Sequence, residues 1–98
     1  MLDDIILYAL NGKLRRRIVE ILSNGPKTTH EIRQELGDSK PVYRQSINKA
    51  LVILRKANLV EKLYSEKSNK FYYNLRVNEI RIKFNQGQLT IEETIIKK

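Results

Sequence analysis

Apolar positions follow a helical period through the first half of the chain and a period of two after it. Leu2, Ile5, Ile6, Ala9 and Leu10 form one helical stripe, predicting a helix over Leu2–Leu10. Asn11 and Gly12, both tolerant of the left-handed conformation, are placed to end it. A second helix is expected over about Lys13–Ser23, with Leu14, Ile18, Ile21 and Leu22 on one face, stopped by Asn24-Gly25-Pro26. Thr28-Thr29-His30-Glu31 fits a capping box, in which the Thr28 hydroxyl accepts from the Glu31 amide and the Glu31 carboxylate accepts from the Thr28 amide. The short helix it opens buries Ile32 and Leu36 and closes at Gly37. Asp38 to Lys40 separate it from a long helix that carries Pro41 in its first turn, where a missing N–H costs nothing, and reaches about Ala57. Tyr43, Ile47, Ala50, Leu51 and Leu54 form its inward stripe.

Beyond Asn58 the alternation changes. Leu59–Tyr64 and Phe71–Leu75 are rich in β-formers, and the polar gap Ser65–Lys70 makes them a β-hairpin with a basic tip. Ile80, Ile82 and Phe84 alternate again, then Asn85-Gln86-Gly87-Gln88 turns the chain into Leu89, Thr90 and Ile91. Pairing Phe84 with Leu89 sets Ile82 opposite Ile91 and Arg81 opposite Glu92. Thr90-Ile91-Glu92-Glu93 also reads as a capping box, so this extension is a second β-hairpin or a short helix.

Charge narrows the function. The chain of 98 residues has a net charge of +8 and a pI near 9.9. Residues 1–12 contain Asp3 and Asp4 and no basic side chain, and in residues 84–98 Glu92 and Glu93 balance Lys97 and Lys98. The excess of positive charge therefore sits in residues 13–83, as expected of a body that faces a polyanion. The length suits a single domain, residues 1–98. Without cysteine there is no disulfide, thiolate zinc site or thiol nucleophile, and the lone His30 cannot build a transition-metal cluster. No cofactor is implied. Glu92 and Glu93, adjacent on a strand, point to opposite faces, and there is no glycine-rich phosphate loop and no Ser/His/Asp set, so an enzyme is not expected. No apolar run nears the roughly 18 residues of a membrane span, and the acidic start Met1-Leu2-Asp3-Asp4 lacks the basic opening of an export signal. The cytoplasm is the expected compartment.

Helices followed by a basic hairpin, with a tight turn between the last two helices, give an α+β fold of the winged helix-turn-helix order: a helical core plus a β-hairpin wing. The residues Leu14–Leu22, Thr29–Gly37, Ile47–Val60 and Phe71–Leu75 resemble the ArsR-like (arsenical-repressor-type) regulators and their winged-helix relatives, over nearly two-thirds of the chain. The most specific stretch is Leu54–Val60, where Asn58 stands at a position usually glycine in that family. The resemblance implies a homodimeric, sequence-specific transcription regulator. The metal-binding cysteines of the metal-sensing members are absent, so metal sensing does not carry over, and Asp38–Gln45 is longer than usual.

On the long helix, Gln45, Asn48, Lys49 and Val52 face away from Ile47, Leu51 and Leu54, with Arg44 and Ser46 flanking and Lys40 near the start. Gln and Asn can pair with adenine bidentately, and Arg or Lys with guanine. No acid occurs between Lys40 and Lys56, whereas an ordinary solvated face mixes Glu with Lys. At the wing tip Lys67, Ser68, Asn69 and Lys70 can reach phosphates or the minor groove. Thr29, His30 and Arg33, on the preceding short helix, are further candidates for phosphate contact. Arg15-Arg16-Arg17 reads as a solvated face on which Arg16 can pair with Glu20, and Tyr64, Tyr72 and Tyr73 as sheet packing.

The expected partner is double-stranded DNA, bound by a homodimeric repressor with the terminal segments 1–12 and 76–98 as interface candidates. No membrane partner is expected and no small-molecule effector is evident. The competing reading is an RNA-binding or protein-interaction winged helix.

Overall fold

The structure, a computed structural model, describes residues 2–37 and 43–95, without the side chains of residues 2, 3, 85 and 93–95. Four helices, α1 (Leu2–Leu10), α2 (Lys13–Leu22), α3 (Thr29–Leu36) and α4 (Arg44–Lys56), precede two antiparallel hairpins. The first hairpin pairs β1 (Val60–Ser65) with β2 (Lys70–Leu75), and the second pairs β3 (Val77–Asn85) with β4 (Gln88–Ile95). This is the α+β winged helix-turn-helix arrangement.

One core joins these elements. Ile18, Ile21 and Leu22 of α2, Ile32 of α3, and Ile47, Ala50, Leu51 and Leu54 of α4 are buried together with Ile6 and Ala9 of α1. Leu59, Val60, Tyr73, Leu75 and Val77 close it from the strand side. At about 1.5–3 kcal/mol per large apolar side chain removed from water, this set is the main source of stability. Ile5 differs from expectation: it lies on the open side of α1, because only one turn-to-turn line of that short helix reaches the core.

The α1–α2 corner also departs from the expected device. Gly12 has φ −115° and Asn11 is not left-handed, so neither closes α1 by a positive φ. Arg15 closes it instead: its Nε donates to the Ala9 carbonyl at 2.8 Å and its Nη2 to the Tyr8 carbonyl at 3.0 Å, with the guanidinium over the Tyr8 ring. These are carbonyls that a helix end leaves without intrahelical partners. Gly12 makes room for this grip, since a Cβ there would lie 2.7 Å from Arg15 Cζ. Further along α2, Arg17 rather than Arg16 pairs with Glu20, at 3.1 Å.

The end of α4 is a Schellman motif. Ala57 caps the helix, Asn58 is left-handed (φ 59°), the Asn58 amide donates to the Arg55 carbonyl at 3.0 Å, and the Leu59 amide reaches back to the Leu54 carbonyl at 3.0 Å. Leu54 and Leu59, both buried, supply the accompanying apolar contact. The motif turns the chain from helix directly into the wing.

The C-terminal extension is a hairpin and not a helix. Its register is Phe84↔Leu89, Ile82↔Ile91 and Arg81↔Glu92, and Thr90 to Glu93 lie in β4. Gln86 (φ 52°) and Gly87 (φ 79°) form the two-residue turn, the mirror-image type that matches strand twist. The ion pairs run along and across the strands, Arg81 to Glu79 and Lys83 to Glu92, rather than from Arg81 to Glu92.

Candidate nucleic-acid interface

The site is assembled from α3, α4 and the β1–β2 wing. The capping box at the start of α3 is present in both directions: the Glu31 amide donates to Thr28 Oγ1 at 3.1 Å and the Thr28 amide to Glu31 Oε1 at 2.9 Å. The Thr28 amide holds the Glu31 carboxyl below its ordinary value of 4.5. Burial, the next largest influence, opposes it, while the Thr28 hydroxyl, Lys27 and Lys70 act in the same sense as the amide. Gly37, at φ 81°, follows the last turn of α3.

Helix α4 presents two unlike faces. Ile47, Ala50, Leu51 and Leu54 are buried, while Arg44, Gln45, Ser46, Asn48, Lys49 and Val52 are all exposed. The two sets alternate at the 3.6-residue period, so the burial of one directs the other outward. The helix nevertheless starts later than expected. Tyr43 has an extended backbone (φ −74°, ψ 144°) and serves as N-cap residue, so Arg44 is the first helical residue. Tyr43 is therefore not on the inward stripe; it is 71% exposed, because helical spacing does not apply before the first helical residue. Lys40 and Pro41 lie outside the described residues.

The wing tip is a polar turn between Ser65 and Lys70, which pair. Lys67, Ser68, Asn69 and Lys70 are exposed there. Asn69 has a structural role in addition: it is left-handed (φ 57°), and its Oδ1 accepts from the Tyr64 hydroxyl. Tyr64 in turn packs against Phe71, ring centroids 5.0 Å apart, so the tip is braced by aromatic contact. Of the three tyrosines, only Tyr73 is buried as sheet packing; Tyr64 is exposed and Tyr72 half-buried.

Between α3 and the wing lies a groove of about 460 Å³ lined by Thr28, Thr29, His30 and Glu31 from one side and Lys70, Phe71 and Tyr72 from the other. It brings Thr29 and His30 next to the wing residue Lys70, a proximity no local pattern specifies. Arg33, exposed on α3, does not line it. Among the described residues, no group of three or more His, Cys, Asp or Glu side chains is placed to hold a metal ion, and no helix is long and apolar enough to cross a membrane.

A helix pair with its second helix outward-facing and polar, followed directly by a two-stranded wing, defines the winged helix-turn-helix class of DNA-binding proteins. The family model for bacterial regulatory proteins of the arsR family matches residues 12–62, from the α1–α2 corner to the first strand of the wing. The chain belongs to the arsR family, and with it to the DNA-binding regulators of transcription. No curated protein matches it.

Proposed function

We propose that the chain is a sequence-specific, homodimeric repressor that binds double-stranded DNA with α4 in the major groove and the β1–β2 wing on the flanking backbone. The observation that carries this is the outward face of α4, where Gln45, Asn48 and Lys49 are exposed opposite buried Ile47 and Leu51, with no acid along the helix. The groove admits one helix, and these side-chain types match base-edge donors and acceptors. Arg44 and Ser46 flank the readers, with Lys40 toward the start of the helix. Lys67, Ser68, Asn69 and Lys70 contact backbone or minor groove, and Thr29, His30 and Arg33 contact phosphates near the start of α3.

The homodimer is supported by apolar surface on α1 and the second hairpin. Tyr8 (61% exposed) and Ile5 on α1, and Ile82, Leu89 and Phe84 (79% exposed) on the second hairpin, are open to solvent. A two-stranded hairpin is marginal on its own in water, so its uncovered apolar face calls for a partner. Segments 1–12 and 76–98 carry little of the positive charge, so two copies meet there with the least repulsion. Residues 1–98 act as one unit, in the cytoplasm.

The test is selection of bound sequences from a random duplex pool, with binding to single strands and duplex RNA compared by gel shift. A two-fold symmetric duplex motif is expected. Equal or better binding to RNA, or no enriched duplex, overturns the proposal.

A further inference from the structure

The positive surface does not stop at the residues that read bases. On α4 the line Gln45, Lys49, Val52, Lys56 runs straight along the outward side, and Arg55 lies on the flank that Asn48 shares. From Gln45 to Lys56 this line covers about 16 Å along the axis at about 1.5 Å per residue. The major groove is only about 12 Å wide. A helix inclined to the groove, with its first turns on base edges, therefore brings its last turn to the sugar–phosphate strand that bounds it.

At that last turn, cations from separate elements converge on one open groove of about 540 Å³, lined by Arg55 and Lys56 of α4, Lys62 of β1 and Arg76 of the link between the hairpins. The dipole of α4 favours Arg55 and Lys56 at its C-terminus, but it places neither Lys62 nor Arg76 there. Arg76 is held there, donating from Nη1 to the Asn58 carbonyl at 2.9 Å, while the Lys62 stem lines the groove and its ammonium lies 4.4 Å from the centroid of the Phe71 ring, which is not part of that lining. Glu61 is the one acid in the lining, and its Oε1 accepts from Asn74 Nδ2 at 3.4 Å. An open, cation-lined groove continuous with the reading line suits a polymer backbone rather than an enclosed small anion.

We propose that Arg55, Lys56 and Arg76, with Lys62 beside them, form a second clamp on DNA backbone phosphates, at the opposite end of α4 from its reading turn and independent of the wing tip. The clamp rests on the DNA reading given above. It contributes affinity and salt dependence and no base preference, since phosphates are the same at every sequence.

The test is the double substitution Arg55→Gln with Lys56→Gln in the full chain, with duplex affinity measured against salt concentration. Each cation withdrawn from a phosphate lowers the slope of log K against log salt by about 0.9, so a slope shallower by about 1.8 is expected, with the preferred sequence unchanged. Thermal unfolding is measured in parallel; should the double variant not unfold cooperatively, the single substitutions are compared, each expected to lower the slope by about 0.9. An unchanged slope in folded variants, while the wild type binds duplex, overturns the clamp alone. A wild type that does not bind duplex overturns the DNA reading and the clamp together.

Discussion

Lys27 and Tyr73 exchange two backbone hydrogen bonds, the Lys27 amide donating to the Tyr73 carbonyl at 3.0 Å and the Tyr73 amide to the Lys27 carbonyl at 2.7 Å. This isolated bridge fastens β2 to the residue just before the N-cap of α3. The wing is thereby referenced to the helix-turn-helix itself, and Lys70 is held across from Thr29 and His30. Lys27 adds an ion pair to Glu35 on α3, at 3.2 Å. The amides of Lys27 and Tyr73 should exchange with solvent as slowly as those of core helix residues such as Leu51. Exchange at the rate of the wing-tip amides would show that the wing moves independently.

The two kinds of DNA contact should separate under mutation. Gln45→Ala or Asn48→Ala is expected to relax preference at particular base pairs, by about 1–3 kcal/mol at each. Lys67→Ala with Lys70→Ala should weaken binding to all sequences alike and lessen the salt slope by about 1.8. Footprints and selected motifs on these variants provide the comparison. Loss of base preference from the wing pair, with none from α4, would reverse the assigned orientation.

Asn58 carries the left-handed residue of the Schellman motif at φ 59°. Asn58→Gly should leave stability equal or slightly higher, because glycine adopts this conformation without steric cost. Asn58→Ala should lower it by about 1–2 kcal/mol. Urea unfolding of the three proteins decides this, and equal stability of the alanine variant would contradict it.

The Glu31 carboxyl is held below its ordinary value, first by the Thr28 amide. A group whose folded pKa is depressed stabilises the fold above the unfolded value and loses that contribution as pH falls through the folded one. The stability difference between wild type and Glu31→Gln should therefore be constant near neutrality and shrink as pH drops below about 4.5. Thermal midpoints across that range are the readout. A gap that widens toward acid would mean the carboxylate is not held as described.

Phe84 stands at the outer end of the second hairpin and is 79% exposed. Phe84→Asp should turn a dimer into a monomer in sedimentation while leaving the helical circular dichroism unchanged. Its unfolding midpoint should also lose dependence on protein concentration. A wild type that sediments as a monomer at micromolar concentration would rule out the proposed assembly.

The sequence by itself determined the element order through the first hairpin and most of the helix faces, because these depend on local periodicity and turn chemistry; that the C-terminal extension is a hairpin and not a short helix was decided by the structure. The α3 capping box needs only Thr28 and Glu31 three residues apart, and the register of the second hairpin follows from matching Phe84 and Ile82 with Leu89 and Ile91. The chemistry of the outward face of α4 was legible for the same reason, since burying Ile47 and Leu51 leaves Gln45, Asn48 and Lys49 outside. What only the tertiary structure decided are relations between residues far apart in the chain. Arg15 reaching back over Gly12 to cap α1, the Lys27–Tyr73 bridge, the groove shared by His30 and Lys70, and the meeting of Arg55 with Arg76 all depend on how elements pack. Tyr43 shows the same limit at short range: its extended backbone takes it off the helix, and no spacing rule applied to a helix can place a residue outside one.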